Sequence, residues 1–134
     1  MTGRPARQVV YDAGVLLAAD RGDDRFASLH LRYLSSRFTP IVPSPVLTQV
    51  WRDGSRQARL ARAIRGCLIE PASATLAKKA GVLLGRAGCS DAVDAIVVAS
   101  AIAHEAVIAT GDPDDLRALW EAAETGQAPP LLIF

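Results

Sequence analysis

The sequence predicts an α/β fold: a three-layer α/β/α sandwich with a short, mostly parallel central sheet, formed by a single domain over residues 1–134. Short runs of β-branched and aliphatic residues alternate with helical patterns along the whole chain, which is typical of parallel strands joined by crossover helices. The runs lack polar alternation, as expected of strands that helices cover on both faces. With 134 residues, the chain can bury one core but is too short for two.

Three strand-like runs lie in the first half of the chain, at residues 8–12, 40–42 and 67–70. Helical patterns flank them at residues 13–19, 25–36, 46–52 and 56–65. We expect Asp24 to cap the second of these helices. Ser44 stands directly before Pro45 and is expected to cap the third.

The second half begins with a long helical pattern at residues 73–86, which should end near Gly88. A central helix is predicted at residues 91–104 and a short strand at residues 107–109. The remaining elements are a helix at residues 113–123 and a last strand at residues 131–133. Strands and helices therefore continue to alternate to the last residues given.

Composition and charge narrow the function classes. The formal net charge is +1, so the chain lacks the strongly basic balance of many nucleic-acid-binding domains, although segregated charge could still serve one. No apolar span of about 18 residues and no signal-like segment is present, so we expect a cytoplasmic protein without a membrane partner. Cys67 and Cys89 form no Cys-x-x-Cys motif, which predicts two free, buried thiols and no thiolate metal site.

Aspartates stand at the ends of three separate predicted segments. Asp12 ends the first strand. Asp91 and Asp94 begin the central helix, one turn apart on the same face. Asp112 and Asp115 follow the strand after it. Because the carboxyl ends of parallel strands meet at one edge of a sheet, we expect these side chains to converge there.

Two interpretations of these aspartates remain open. Each of them could serve as a helix cap or as the acid in a helix's first turn. Three or more carboxylates at one place, however, repel one another strongly unless a cation neutralises them. Oxygen ligands without a His or Cys cluster favour Mg²⁺ or Mn²⁺, and such ions suit phosphodiester hydrolysis.

Four sequence blocks carry a more specific signal. In chain order they are V-V-Y-D-A-G, V-P-S-P-V-L-T-Q-V-W-R, S-D-A-V-D-A-I-V-V-A-S-A and V-I-A-T-G-D-P-D-D-L. In this order and spacing, which span nearly the whole chain, they resemble PIN domains. More specifically, they resemble the VapC ribonuclease toxins of bacterial toxin–antitoxin pairs.

The resemblance implies a Mg²⁺- or Mn²⁺-dependent endoribonuclease that leaves a 5′-phosphate and a 3′-hydroxyl. It also implies a homodimer, inhibited by a VapB-like antitoxin through which alone it would meet operator DNA. The catalytic and metal-binding roles are carried onto Asp12, Asp94 and Asp112. Asp115 would be an additional metal-binding acid at the rim, and Asp91 either a supporting acid or a cap.

Gln49 departs from the family pattern, because many members have a glutamate at this position. Glutamine offers a neutral amide oxygen to a cation but adds no charge and cannot act as a base. Reduced metal affinity is therefore expected, with Asp91 or Asp115 partly substituting. The alternative to an active nuclease is a catalytically weakened module that binds RNA or the antitoxin. Thr110 stands before the acidic turn, where its hydroxyl could orient Asp112 or a metal-bound water.

Other side chains have simpler interpretations. His30 and His104 are isolated in apolar helix patterns, which favours structural or surface roles. Trp51 and Trp120 suit core or interface anchors better than base-stacking platforms. The fourth helix carries arginines on one face, more simply explained by solvation than by phosphate contact: Arg59, Arg62 and Arg65.

Other acidic α/β proteins fit poorly. A haloacid-dehalogenase-type phosphatase needs an aspartate two residues beyond the first, where this chain has Gly14. A receiver domain needs an acidic pair after its first strand and a lysine late in the chain, and the only lysines are Lys78 and Lys79.

Overall fold

The structure is a computed structural model that describes residues 5–89 and 91–134. Within these residues the chain forms five strands and seven helices. The strands are β1 Val9–Tyr11, β2 Ile41–Pro43, β3 Leu68–Glu70, β4 Val107–Thr110 and β5 Leu131–Ile133. The helices are α1 Ala13–Arg21, α2 Asp24–Leu34, α3 Ser44–Val50, α4 Ala58–Arg65, α5 Ala74–Ala87, α6 Ala92–His104 and α7 Pro113–Ala122.

The strands form one sheet in the order β3-β2-β1-β4-β5, and every neighbouring pair is parallel. The chain runs outward from β1 to β2 and β3, then crosses back to β4 and β5, so the winding reverses between β1 and β4. Ligands of open parallel sheets bind at the carboxyl ends of the strands at such a reversal. Tyr11 pairs with Ala109 across it, which brings Asp12 and Thr110 side by side.

The helices form two groups. α1 packs against α2, α3 and α4, whereas α5 packs against α6 and α7. α6 also contacts β1, β2 and β4, and α1 contacts β4. Together with the sheet they make the three-layer α/β/α sandwich, so the predicted fold class is confirmed.

The central strands are apolar because their two faces are covered. Val9, Val10 and Tyr11 of β1 and Ile108 of β4 are 0% exposed. Burying a side chain of this size contributes about 1.5–3 kcal/mol relative to leaving it in water. The edge strand β3 differs, since Leu68 is 53% exposed.

Two predicted helix caps were wrong. Asp23, not Asp24, caps α2, because its extended backbone lets its carboxylate accept from the N–H groups of Arg25 and Phe26 at 2.8 and 3.2 Å. Ser44 is already inside α3, and Pro43 occupies the cap position without a side-chain bond. The hydroxyl of Ser44 instead accepts from the N–H of Ala72 at 3.3 Å, which joins two loops.

Some side chains are more exposed than expected. Cys67 and Cys89 are free but only half-buried, because each lies beside the core rather than in it. Trp51 lies just beyond the end of α3, which begins and ends two residues earlier than predicted, and is 41% exposed. Trp120 is buried, as expected of a core anchor, and its indole N–H donates to the carbonyl of Gln127 at 2.8 Å.

The arginine face of α4 is confirmed as solvent-exposed, at Arg59, Arg62 and Arg65. In the described part of the chain, no helix combines the length and the apolar character needed to cross a bilayer.

The two histidines have structural partners. His30 is buried, its Nδ1 is hydrogen-bonded to the Tyr11 hydroxyl at 2.9 Å, and its ring stacks on that of Phe26. His104 lies on α6 with Nε2 2.6 Å from the Glu70 carboxylate. The other oxygen of that carboxylate accepts from the Ser100 hydroxyl at 2.5 Å, so the end of β3 is anchored to α6 at two points.

The packing of α4 leads to a stability prediction. Leu60 is 0% exposed, so truncation leaves a cavity in the core. We expect Leu60→Ala to lower the free energy of unfolding by about 2–5 kcal/mol. Arg62→Ala, on the solvated face of the same helix, should change it by less than about 0.5 kcal/mol. Urea unfolding followed by circular dichroism measures both. Equal effects of the two substitutions would contradict this packing of α4.

Candidate functional site

Asp12 is held where β1 ends and α1 begins. Its side chain is 7% exposed and caps α1, since Oδ1 accepts from the N–H of Ala13 at 2.7 Å. The other oxygen, Oδ2, accepts from the Thr110 hydroxyl at 2.9 Å. Burial raises the pKa of Asp12, while these two hydrogen bonds oppose the rise. The Asp12 carboxylate therefore both caps α1 and forms part of the candidate site.

Thr110 joins the two central strands beneath the site. It is the last residue of β4 and 0% exposed, and its hydroxyl donates to Asp12. The same oxygen accepts from the backbone N–H of Asp112 at 3.0 Å. Thr110 was expected to orient Asp112, and it does so at the backbone N–H of that residue. The carboxylate that it orients belongs to Asp12.

Asp91 and Asp94 lie at the start of α6. Asp91 is the N-cap, and its Oδ1 accepts from the N–H of Asp94 at 3.0 Å, so its interpretation as a cap is confirmed. The half-buried Asp94 lies in the first turn. Burial, followed by the charges of Asp91, Asp12 and Asp115, raises its pKa to about 7. Ser90, the other candidate cap, lies outside the described residues.

Asp112 and Asp115 flank the start of α7. Asp112 occupies the N-cap position but makes no side-chain capping bond, and it is exposed. Its hydrogen bond and its charge raise the pKa of the exposed Asp115. The interpretation of Asp112 as a side-chain helix cap is therefore wrong, and its carboxylate interacts with Asp115 instead.

A cavity of about 500 Å³ brings these groups together at the carboxyl edge of the sheet. All the candidate acids line it, as does the exposed side chain of Gln49: Asp12, Asp91, Asp94, Asp112 and Asp115. Thr110 is buried next to Asp12. The predicted convergence from three segments is therefore observed.

Gly14 lets the first turn of α1 lie close to the loop after β4. A Cβ placed on Gly14 would lie 3.2 Å from the backbone nitrogen of Gly111, which is tighter than an ordinary contact. A Cβ on Gly111 would meet its neighbours only at 3.8 Å, so the close approach depends on Gly14. Both glycines line the cavity.

Sequence reasoning missed three other residues of the cavity wall, namely Arg21, Arg25 and Phe134. Their positions have no common sequence pattern, because they belong to α1, α2 and the segment after β5. Only the parallel pairing of β5 with β4 brings Phe134 to this edge.

The donor set suits a hard divalent cation. Burial, and then repulsion from the neighbouring carboxylates, raises the pKa of Asp94, and a cation between the carboxylates would relieve that repulsion. The carboxylates are not already grouped around one point in this structure. Over residues 5–89 and 91–134, no three or more His, Cys, Asp or Glu residues stand close enough to hold one ion. The residues thus fit such an ion in chemistry and charge without forming a ready coordination shell.

No protein-family model matches this sequence, and no curated protein sequence is significantly similar to it. Solved structures are similar. A toxin–antitoxin complex from Klebsiella pneumoniae matches with a TM-score of 0.69 at 16% identity, over 93% of this chain and 96% of that one. The VapBC2 structure from Rickettsia felis, bound to a DNA fragment from its promoter, matches with a TM-score of 0.65 at 18% identity, over 82% and 92%.

Identities this low establish a shared fold. The two matches cover at least 82% of this chain and at least 92% of the other chains, so the similarity concerns the domain and not one βα unit. It agrees with the resemblance that the four sequence blocks carry. The chain therefore has a PIN-like fold that it shares with chains of these toxin–antitoxin structures, as the sequence predicted.

Proposed function

We propose that this chain is a divalent-metal-dependent endoribonuclease that acts as the toxin of a VapBC-type toxin–antitoxin system. The observation that carries the proposal is the cavity that five aspartates from three segments line at the winding reversal of the sheet. The similarity in fold to toxin–antitoxin structures supports it independently.

Asp12, Asp94 and Asp112 would hold a Mg²⁺ or Mn²⁺ ion, with Asp115 at the rim. Such an ion, when bound, supplies charge stabilisation to the scissile phosphate and lowers the pKa of a water molecule. Asp12 contributes a carboxylate fixed by Thr110 and Ala13, so little ordering is needed on binding. Hydrolysis would add water at phosphorus and break the bond to the 3′-oxygen, which leaves a 5′-phosphate and a 3′-hydroxyl.

A carboxylate must also accept the proton of the attacking water. Asp115 suits this role because it lines the cavity beside the proposed ligands and is exposed to solvent. Exposure lets it release the proton to bulk water afterwards.

The proposed partners are inferred from the same structural similarity. The Rickettsia felis structure contains VapBC2 with promoter DNA. We propose a VapB-like antitoxin as the partner of this chain, contact with operator DNA only through that antitoxin, a homodimer as the assembly, and action on RNA in the cytoplasm.

A second candidate function is a catalytically weakened module that binds RNA or antitoxin. Gln49 favours it, because this exposed side chain lines the cavity where a glutamate would add a negative charge. The absence of a ready three-ligand group among the described residues points the same way.

Cleavage of a mixed, structured RNA pool tests the nuclease. The partner-free protein should cut with Mg²⁺ or Mn²⁺ and not with chelator. Asp12→Asn and Asp94→Asn should each lower the rate about 100-fold or more, because each removes a ligand charge. The matched control is Asp114→Asn. Asp114 is an exposed aspartate in the first turn of α7 that pairs with Arg117, and it lies outside the cavity wall.

Two outcomes would contradict the nuclease. Folded protein that fails to cut with either metal ion would leave the binding module as the function. Cutting that survives in both Asp12→Asn and Asp94→Asn would place the activity elsewhere.

Gln49→Glu should strengthen metal binding. An added charge near the ion contributes on the order of 1–4 kcal/mol, so the Mg²⁺ concentration for half-maximal cleavage should fall about tenfold or more. Gln127→Glu is the control, because the Gln127 side chain is exposed and lies outside the cavity wall. Unchanged Mg²⁺ dependence in Gln49→Glu would mean that this side chain does not face the ion.

Repulsion at Asp94 predicts how stability depends on pH. A pKa raised to about 7 means that the folded state binds a proton that the unfolded state releases near pH 4. Metal-free wild-type protein should therefore lose stability as pH rises from about 4 to 7. Asp94→Asn should be more stable than wild type at pH 8, with the difference shrinking toward pH 4.

Thermal unfolding with and without Mg²⁺ measures this effect. Added Mg²⁺ should raise the melting temperature of wild type, since a ligand of the folded state stabilises it. The shift should be largely lost in Asp94→Asn. Wild type and Asp94→Asn with the same pH profile and the same Mg²⁺ shift would contradict both the repulsion and the metal site.

A further inference from the structure

The acidic cavity has a cationic and aromatic rim, formed by Arg21, Arg25 and Phe134. Arg21 ends α1, and Arg25 lies in the first turn of α2. Phe134 is positioned by its backbone N–H, which donates to the carbonyl of Thr110 at 2.8 Å. The guanidinium of Arg25 lies 5.8 Å from the centre of the Phe134 ring. Three separate segments thus place two cations and a ring beside the carboxylates.

A polyanion approaching this cavity meets five carboxylates, which repel it. Arg21 and Arg25 are the cationic side chains among the described residues that line the cavity. Both are exposed, and Arg25 is only loosely paired with Asp23, at 3.6 Å with 71% of its side chain exposed. Arginine presents a planar fork of donors that matches phosphate oxygens. The rim can therefore offset the repulsion where a phosphate next to the reacting one would lie.

The Phe134 ring offers a different contact. Phe134 is half-buried and contributes to the cavity wall, with its ring next to the Arg25 guanidinium. Aromatic rings and guanidinium planes both stack on nucleobases, and stacking requires a base that is free of its own neighbours. The rim thus suits a strand whose bases are not already paired and stacked in a helix.

We propose that Arg21, Arg25 and Phe134 form a subsite for an unpaired ribonucleotide next to the cleaved bond, in which the arginines hold its phosphate and the ring stacks its base. This inference rests on the proposed nuclease and names residues of this chain that would bind its substrate next to the metal site.

Binding of a labelled 12-nucleotide RNA, measured by fluorescence anisotropy with Mg²⁺ in an Asp94→Asn background, tests the subsite without cleavage. Phe134→Leu keeps an apolar side chain but removes the ring, and should weaken binding about tenfold. Phe134→Tyr keeps the ring and should stay within about twofold. The matched control is Arg37→Ala, which removes an arginine 4.9 Å from the Phe38 ring, away from the acidic cavity.

The salt dependence of binding separates charge from stacking. Removing one arginine that binds a phosphate should reduce the slope of log K against log salt by about 0.7 for a single strand. Arg21→Ala and Arg25→Ala should each show this reduction. Phe134→Leu should weaken binding with an unchanged slope, and Arg25→Lys should keep the slope.

Pairing the same RNA with its complement should weaken binding about tenfold and make it insensitive to Phe134→Leu. Equal binding of single-stranded and duplex RNA would overturn the proposal. So would affinities of Phe134→Leu and Arg25→Ala within twofold of the Arg37→Ala control. Thermal unfolding of each variant shows whether weaker binding comes from misfolding. If Phe134→Leu or Arg25→Ala is misfolded, the conservative variants Phe134→Tyr and Arg25→Lys decide the test, because they should keep binding.

These outcomes are distinct from failure of the nuclease. If the wild type never cuts RNA but binding still depends on Phe134 and on strandedness, the subsite stands and the chain is an RNA-binding module. If the wild type cuts RNA and the rim variants bind and cut like the control, the nuclease stands and the subsite is wrong.

Discussion

Mutual repulsion of carboxylates at the carboxyl edge of the sheet is the constraint on which the site depends. The fold opposes this repulsion with fixed hydrogen bonds. The Thr110 hydroxyl binds Asp12 and the backbone of Asp112, and Asp91 accepts from the backbone of Asp94. Asp94 shows that the compensation is incomplete, because burial and then the charges of Asp91, Asp12 and Asp115 raise its pKa. The parallel order of the strands makes this possible, because the carboxyl ends of β1 and β4 lie side by side.

The sequence predicted much of this architecture, because strand and helix patterns depend on local periodicity. All five strands followed from short apolar runs, and the convergence of the aspartates followed from the acids placed near the carboxyl ends of β1 and β4 and at the start of α6. The roles of single aspartates were harder to predict. Asp12 both caps α1 and lines the cavity, Asp91 caps α6, and Asp112 does not cap α7. Local sequence makes these residues look equivalent, and only tertiary contacts distinguish them.

Features that depend on distant segments escaped prediction for the same reason. Asp23 and Asp24 are adjacent acids, and the backbone angles at the loop decide which of them caps α2. Ser44 bonds to a loop 28 residues later instead of capping α3. Phe134 and Arg25 meet only after β5 has paired with β4. No pattern within a short window contains such information.

The contact between Glu70 and α6 has a consequence for the site at the other end of that helix. Glu70 holds α6 near its end through Ser100 and His104, which lie one turn apart on the helix. Two hydrogen bonds to one carboxylate of β3 restrain the helix from rotating about its own axis, and such a rotation would swing Asp94 away from the cavity. The direction in which the Asp94 carboxylate points is thus set partly by an edge strand outside the cavity wall, so a substitution at Glu70 can alter the cavity without lining it.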